Sequence, residues 1–207
     1  MMRRATAWLT GAALALGLAA CIQTAAPPVA FSSTWPTRVA NFNDVTKAWS
    51  RSTKLRNGYE ESLVLSATIK TPEWRAARVA RDVKYARMSE ASATELVAKE
   101  QAALADHYEV ELLVATWARR ENDLERGDKS SWRVVLVADD GTEIKPTEIR
   151  RDRRPREQVE LEHPDFGDFT VAYVATFPKD RDLLAGKSIR LHMSSARGGV
   201  ELLWRAR

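Results

Sequence analysis

Three histidines, His107, His163 and His192, are the residues of this chain whose chemistry first suggests catalysis or metal binding. They lie 56 and 29 residues apart, and none belongs to a close pair such as His-x-His or His-Glu-x-x-His. Close pairs of this kind are the usual sequence signature of a zinc site. We therefore predict no metal site, and we interpret the histidines as surface or turn residues.

Nucleophilic catalysis has no local signature either. The chain contains no Gly-x-Ser-x-Gly or Ser-x-x-Lys motif and no glycine-rich nucleotide loop. Ser194 and Ser195 follow His192 closely, but neighbours on one strand do not meet as a base and its nucleophile. The carboxylates between Glu160 and Asp168 do not match an EF-hand loop, and turn chemistry explains them as well as calcium does. We predict no catalytic residue, no cofactor and no enzymatic activity.

An arginine-rich run forms the sharpest local feature of the body of the chain. Five arginines fall within seven residues and are the candidates for contact with a partner or with lipid: Arg150, Arg151, Arg153, Arg154 and Arg156. The planar guanidinium group suits bidentate binding of carboxylate or phosphate. The alternative is a solvated loop whose charge is neutralised by the glutamates that follow it, Glu157, Glu160 and Glu162.

The N-terminus carries the most informative pattern. Arg3 and Arg4 precede a short apolar stretch, Ala5 to Ala20, which ends in the only cysteine, Cys21. A basic start, a short apolar segment and small residues before a cleavage point are typical of an export signal. The run Leu18-Ala19-Ala20-Cys21 resembles the lipobox of bacterial lipoproteins. That resemblance implies cleavage before Cys21 and acylation of this residue.

The lipoprotein resemblance implies a location in the bacterial cell envelope. Ile22, rather than aspartate, follows the cysteine, which by resemblance implies the outer membrane, facing the periplasm. Loss of Arg3 and Arg4 leaves 30 of the 32 basic residues against 28 acidic ones, a near balance that gives no support to nucleic-acid binding. An acylated Cys21 leaves no thiol for a disulfide, so the domain depends on its apolar core.

The elements that must position these residues are mostly strands. Residues 22–34, rich in proline, serine and threonine, predict a flexible tether, and 35–57 predict a segment partly packed on the domain. Period-two alternation predicts strands over about 59–69 and 108–117, and a run that is apolar on both faces apart from Arg133 predicts a central strand over 132–138. Further strands are predicted over about 143–149, 157–162, 169–177, 188–194 and 199–205. Helical spacing predicts two helices within 72–105, the second with a capping box that starts at Ser92. Asp139-Asp140-Gly141 predicts a hairpin turn.

This pattern predicts a mainly β fold. We expect an antiparallel β-sandwich of the immunoglobulin type with a two-helix insertion after the first strand, and a β-barrel is the alternative. The predicted organisation is a signal peptide at 1–20, an anchor and tether at 21–57, and one β-rich domain at 58–207. Trp117, Trp132 and Trp204 fall on strands, where large rings most often fill a core.

Three functions agree with these features to different degrees. We expect a non-enzymatic envelope lipoprotein, attached to the membrane through acyl chains on Cys21, whose domain has a binding or structural role toward an envelope protein or anionic polymer. A module that binds carbohydrate or peptidoglycan is the second possibility, and exposed tryptophans beside a groove would favour it. An envelope hydrolase with an atypical site is the third.

Overall fold

The computed structural model describes residues 26–163 and 166–207. Cys21 and the predicted signal segment lie outside the described residues. Within these described residues there are four α-helices, α1 to α4 in chain order: Phe42–Trp49, Pro72–Ala86, Glu90–Asp106 and Arg156–Glu162. The same part of the chain has nine strands, β1 to β9 in chain order: Ser50–Asn57, Glu60–Ile69, His107–Thr116, Arg133–Val137, Glu143–Ile144, Glu148–Arg151, Val171–Pro178, Ser188–Ser195 and Gly198–Arg205.

The strands form two antiparallel sheets. The first has the order β1-β2-β3-β7-β6, and the second has the order β5-β4-β8-β9. Among the described residues neither sheet closes into a barrel. The mainly β prediction is therefore confirmed, and the barrel alternative is not supported.

Strand alternation directs one face of each sheet into a common apolar core. Leu65 on β2, Leu112 on β3 and Tyr173 on β7 belong to the same buried cluster as Leu191 on β8 and Trp204 on β9. Because side chains alternate along a strand, the residues between them lie on the opposite face. On β3 that opposite face carries Glu109, Glu111 and Leu113.

Capping groups explain where two helices begin. Thr71 precedes α2, and its hydroxyl accepts a hydrogen bond from the backbone N–H of Trp74 at 3.3 Å. Ser89 caps α3 by accepting from the N–H of Ser92 at 3.2 Å, so the helix begins earlier than the capping box predicted from Ser92. Ser, Thr, Asp and Asn are favoured at this position because they satisfy an otherwise free N–H of the first turn.

The predicted strand at 157–162 is wrong, since these residues form α4. The alternation of Val159 and Leu161 suggested one buried strand face, but Val159 is buried whereas Leu161 is exposed. Val159 and Glu162, three residues apart, share the buried face of a helix turn instead. A pair between Arg156 and Glu160, four residues apart at 2.5 Å, favours the same conformation.

The N-terminal part is more ordered than the sequence predicted. Val29 is buried, and its N–H donates to the carbonyl oxygen of Arg205 at 2.9 Å. Phe31 stacks on Trp49 with ring centroids 5.6 Å apart. Within the spacer expected at 22–34, Val29 and Phe31 therefore pack on the domain, and α1 and β1 precede the boundary predicted at residue 58.

The predicted strand at 143–149 is divided between the two sheets. Glu143 and Ile144 pair with β4, whereas Glu148 onward pairs with β7. The predicted hairpin turn at 139–141 is confirmed, with Gly141 at a φ of 84° that favours glycine.

Candidate functional site: a groove on the outer face of the larger sheet

The outer face of the five-stranded sheet is covered by helices along only part of its width. Over β3 and β7, Leu113 and Ala172 form a small apolar cluster with Val159 of α4. Over β1 and β2, by contrast, the outer face carries half-buried or exposed side chains such as Ser52, Val64 and Ser66. The sequence could not reveal this opening because it depends on where the helices lie.

Three adjoining depressions follow this open face. The central one, about 720 Å³, is lined by β1 and β2 and by Leu113 and Thr170. A second of about 460 Å³ shares Ser52, Ser66 and Leu113 with it and extends to α1 and to the end of α4. The third, about 370 Å³, shares Val64 and reaches the end of β3. Together they form one groove, which we call the outer groove.

The two ends of the outer groove differ in chemistry. At the first end Trp117 and Phe169 are both exposed, with 67% and 65% of their surface accessible, and the guanidinium carbon of Arg119 lies 4.8 Å from the Phe169 ring centroid. At the second end the walls include Glu162 and His163, which are buried. Five lysines and arginines line the groove: Lys47, Arg51, Lys54, Arg56 and Arg119.

A buried charged cluster lies behind the second end. Glu111 is inaccessible to solvent on the outer face of β3, and Arg154 bridges it to Glu162, donating to Glu162 Oε2 at 2.6 Å. Arg154 also binds Asp152 at 2.6 Å, and Arg81 of α2 donates to Glu162 Oε1 at 2.6 Å. We call these five residues the Arg154 cluster. It ties α2 and α4 to the sheet.

The electrostatics of the Arg154 cluster favour ionised carboxylates. Burial opposes ionisation of Glu111, but the charge of Lys70, the contact with His163 and the charge of Arg154 outweigh it and hold the pKa of Glu111 well below its usual range. Burial likewise opposes the charge on Arg154, yet its bonds to Asp152 and the charges of Glu111 and Glu162 raise its pKa. Such a cluster is stable only while every charge keeps its partner.

The ligand atoms of Glu111, Glu162 and His163 all lie within 4.8 Å of one another, which is close enough for them to share a metal ion. Both oxygens of Glu162 and one oxygen of Glu111 already accept from guanidinium groups. His163 Nε2 lies 3.2 Å from the remaining oxygen, Glu111 Oε2, without hydrogen-bond geometry. A cation would have to displace the arginine bonds, so the donor set fits charge compensation better than metal binding.

The histidines lie in three different places. His163 is buried at the end of α4, so the interpretation of a surface residue is wrong for this histidine. His107 begins β3, with Nδ1 2.9 Å from Asp106 Oδ2, and His192 is half-buried in the smaller sheet. Among the described residues no hydrogen bond joins a histidine to a serine, and the three histidines do not converge on one pocket.

The five candidate arginines differ in their surroundings. Arg154 belongs to the buried cluster, and Arg151 binds Glu125 at 2.7 Å. Arg156 pairs with Glu160, one of the glutamates expected to neutralise the run. Arg150 and Arg153 are exposed and form no ion pair with the described residues. Contact of the arginine run with a partner or lipid stays a prediction.

The strand tryptophans divide into two groups. Trp132 and Trp204 are buried, as predicted for core residues, and the Nε1 of Trp204 donates to the carbonyl oxygen of Trp49 at 2.8 Å. Trp117 is exposed, so the expectation of a core position is wrong for this residue. It directly follows β3 and lies beyond the covered part of the sheet, where no second layer packs on it.

Comparison with known proteins adds no family to this description. No protein-family model matches the chain, and no curated protein matches it either. Within residues 26–163 and 166–207, no helix combines the length and apolarity needed to cross a bilayer. The fold and the groove alone therefore define the class of this protein. It is a mainly β domain of two antiparallel sheets with one open, polar sheet face.

Proposed function

We propose that this protein is a non-enzymatic lipoprotein of a bacterial cell envelope whose β-rich domain binds a ligand in the outer groove. The observation that carries the proposal is the groove itself, a long depression with a hydroxyl-bearing floor, basic residues along it and exposed aromatic rings at one end. Concave sites with a few convergent polar groups are the usual form of a binding site. The lipobox at Cys21 supports anchoring in the outer membrane, facing the periplasm.

The finer fold assignment belongs to the same proposal. Two antiparallel sheets that share one core support an immunoglobulin-like sandwich, and the position of α2 and α3 between β2 and β3 supports their interpretation as an insertion. On this view the helices cover half of an outer sheet face and leave the other half for binding.

A binding role is better supported than hydrolysis. The polar groups with the strongest mutual interactions, in the Arg154 cluster, are neutralised in pairs and buried. General acid–base catalysis requires a group within hydrogen-bond reach of the substrate. The groove floor presents serine and threonine hydroxyls, which are suited to hydrogen bonding with a ligand.

The groove can be tested by site-specific photo-crosslinking in intact cells. A crosslinking residue at Ser52 lies in the groove, whereas one at Glu201, exposed on the smaller sheet, is the matched control. We expect a crosslinked product from Ser52 only, and we expect it to disappear when Ser66→Trp fills the groove. Equal products from both positions, or a product insensitive to Ser66→Trp, would refute the groove as the binding site.

The anchor and the arginine run are tested separately. Cys21→Ala should abolish labelling with a fatty-acid analogue, and labelling that survives would refute lipidation at this residue. Replacing Arg150 and Arg153 with Gln removes two exposed guanidinium groups of the run while leaving the Arg154 cluster intact. An unchanged set of crosslinked partners would remove the run from the functional account.

A further inference from the structure

We infer that the ligand of the outer groove is an anionic glycan strand, a polymer of sugar rings that carries carboxylate groups. This inference rests on the proposed function and specifies its ligand class. It follows from three features of the groove: the aromatic end, the arrangement of hydroxyl and basic groups, and the position of the groove relative to the point where the chain enters the domain.

The aromatic end offers a stacking platform. Trp117 and Phe169 line the same depression, and both rings are exposed, whereas the tryptophans in the core are buried. A sugar ring has apolar C–H faces and polar edges, so it can lie on an indole or phenyl face while its hydroxyls reach polar neighbours. Tyr59, in the β1–β2 turn at this end of the sheet, is also fully exposed. Apolar rings scattered singly over a protein surface are common, whereas exposed rings that form a patch often mark a binding site.

The floor and sides of the groove match the rest of such a ligand. Ser52 and Ser66 face each other across β1 and β2, and Thr170 lies on the opposite side, so hydroxyls follow the groove. Lys54 and Arg56 lie on the same face of β1 and share one acidic partner within the described residues, Glu61, at 2.9 Å and 3.7 Å. A ligand carboxylate can take the place of Glu61 at these two cations.

The chain entry point favours a glycan over the anchoring lipid. Arg51 Nη2 donates to the carbonyl oxygen of Pro27 at one end of β1, whereas Asn57 at the other end contacts Arg197. The N-terminal segment therefore joins the domain at the end away from Trp117. The eight peptide steps from Cys21 to Val29 reach at most about 28 Å, whereas the ten residues of β2 alone span about 33 Å. The anchor thus holds the end of the domain opposite the aromatic platform.

Binding is measured with the acylated full-length protein in detergent and three probes: purified peptidoglycan sacculi, chitooligosaccharide as the neutral glycan, and glycerophosphoglycerol as the water-soluble headgroup of phosphatidylglycerol. We expect binding to sacculi that weakens with added salt. Trp117→Ala should weaken it by about tenfold, as loss of an aromatic anchor typically does. The double variant Lys54→Gln and Arg56→Gln should weaken it similarly. The matched controls are Tyr85→Ala, which removes an exposed aromatic ring from α2, and Lys187→Gln, which removes a positive charge outside the groove.

Each outcome decides the inference. Sacculi binding that depends on Trp117 and on the Lys54–Arg56 pair, but not on Tyr85 or Lys187, supports it. Equal binding of chitooligosaccharide with no effect of the Lys54–Arg56 variant overturns the anionic character. Binding to glycerophosphoglycerol only, or to none of the probes, overturns the glycan class. If crosslinking from Ser52 persists in that case, the groove still binds a ligand and only the ligand class is wrong.

Discussion

Loss of the shared cation in the Arg154 cluster should be among the most destabilising single substitutions in this domain. Arg154→Met keeps an apolar stem of similar length but leaves Glu111, Asp152 and Glu162 without their common partner, and their side chains are only 0%, 4% and 4% exposed. Removing one partner of a buried pair typically costs about 3–5 kcal/mol, because a buried charge stays uncompensated. That is a large part of a typical domain stability of about 5–15 kcal/mol.

The matched control is Arg133→Met, which removes an arginine from a pair of comparable length on the smaller sheet. Arg133 and Glu143 are 47% and 48% exposed, and their nitrogen–oxygen distance is 2.5 Å. An exposed pair of this kind contributes about 0–1 kcal/mol, because water and ions already solvate both charges. Short distance alone therefore does not decide the contribution of an ion pair, and burial does.

Urea unfolding followed by tryptophan fluorescence distinguishes the two cases. With a slope of about 2 kcal/mol per molar, Arg154→Met should lower the urea midpoint by about 1.5–2.5 M and Arg133→Met by less than about 0.5 M. Arg154→Lys, which keeps the charge but not the fork, should give an intermediate midpoint. Equal midpoints for Arg154→Met and Arg133→Met, at unchanged slope, would refute the assignment of a stabilising role to the cluster.

Three further outcomes follow from the structure. The pKa of Glu111 is depressed in the folded protein, so the ionised carboxylate stabilises the fold fully above the unfolded pKa of about 4.3, and this stabilisation is lost as the pH falls. The Glu111→Gln variant should therefore show a flatter decline of the urea midpoint below pH 5. Thr71→Ala removes the buried cap of α2 and should cost about 1–2 kcal/mol in the same assay, against about 0.5 kcal/mol for Ser89→Ala at the exposed cap of α3. Val29→Asp places a charge in the core and should cost at least about 2 kcal/mol by thermal unfolding, whereas Ala30→Asp at an exposed site should have little effect. Similar melting temperatures for the two variants would show that the N-terminal segment does not pack on the domain.

Periodicity predicted the strands whose two faces differ in polarity. β2, β3, β8 and β9 alternate clearly because one face meets the common core, and the structure has them close to the predicted bounds. β1 was missed because it is an edge strand of mostly polar residues, in which Arg51 takes an inward position normally held by an apolar side chain. Its guanidinium donates to the carbonyl oxygens of Ala48 and Leu203, so the buried charge has hydrogen-bond partners. An arginine can therefore occupy a position at which period-two alternation predicts an apolar residue.

The candidate site was accessible to sequence reasoning only in fragments. The arginine run was recognisable, but one partner of Arg154 is Glu111, 43 residues earlier on β3. α4, itself predicted as a strand, packs on that outer face of the sheet, and Arg81 of α2 joins the same cluster. The outer groove, in turn, is the part of the sheet that no helix covers. Such an opening is a property of helix placement and leaves no mark in local spacing.

Stability and binding should separate at the two ends of the outer groove. Trp117 is exposed and makes its contribution only with a ligand, so Trp117→Ala should reduce affinity for sacculi while leaving the free energy of unfolding within about 0.5 kcal/mol of the wild type. Glu162 and His163, by contrast, form the wall at the second end, and Arg154 and Arg81 hold Glu162 in place. Arg154→Met should therefore lower the urea midpoint and also weaken binding in conditions where the variant is folded, because α4 loses its fixed position. If Arg154→Met bound sacculi as tightly as the wild type, the second end would not contribute to binding, and the ligand would be confined to the half of the groove between Ser66 and Trp117.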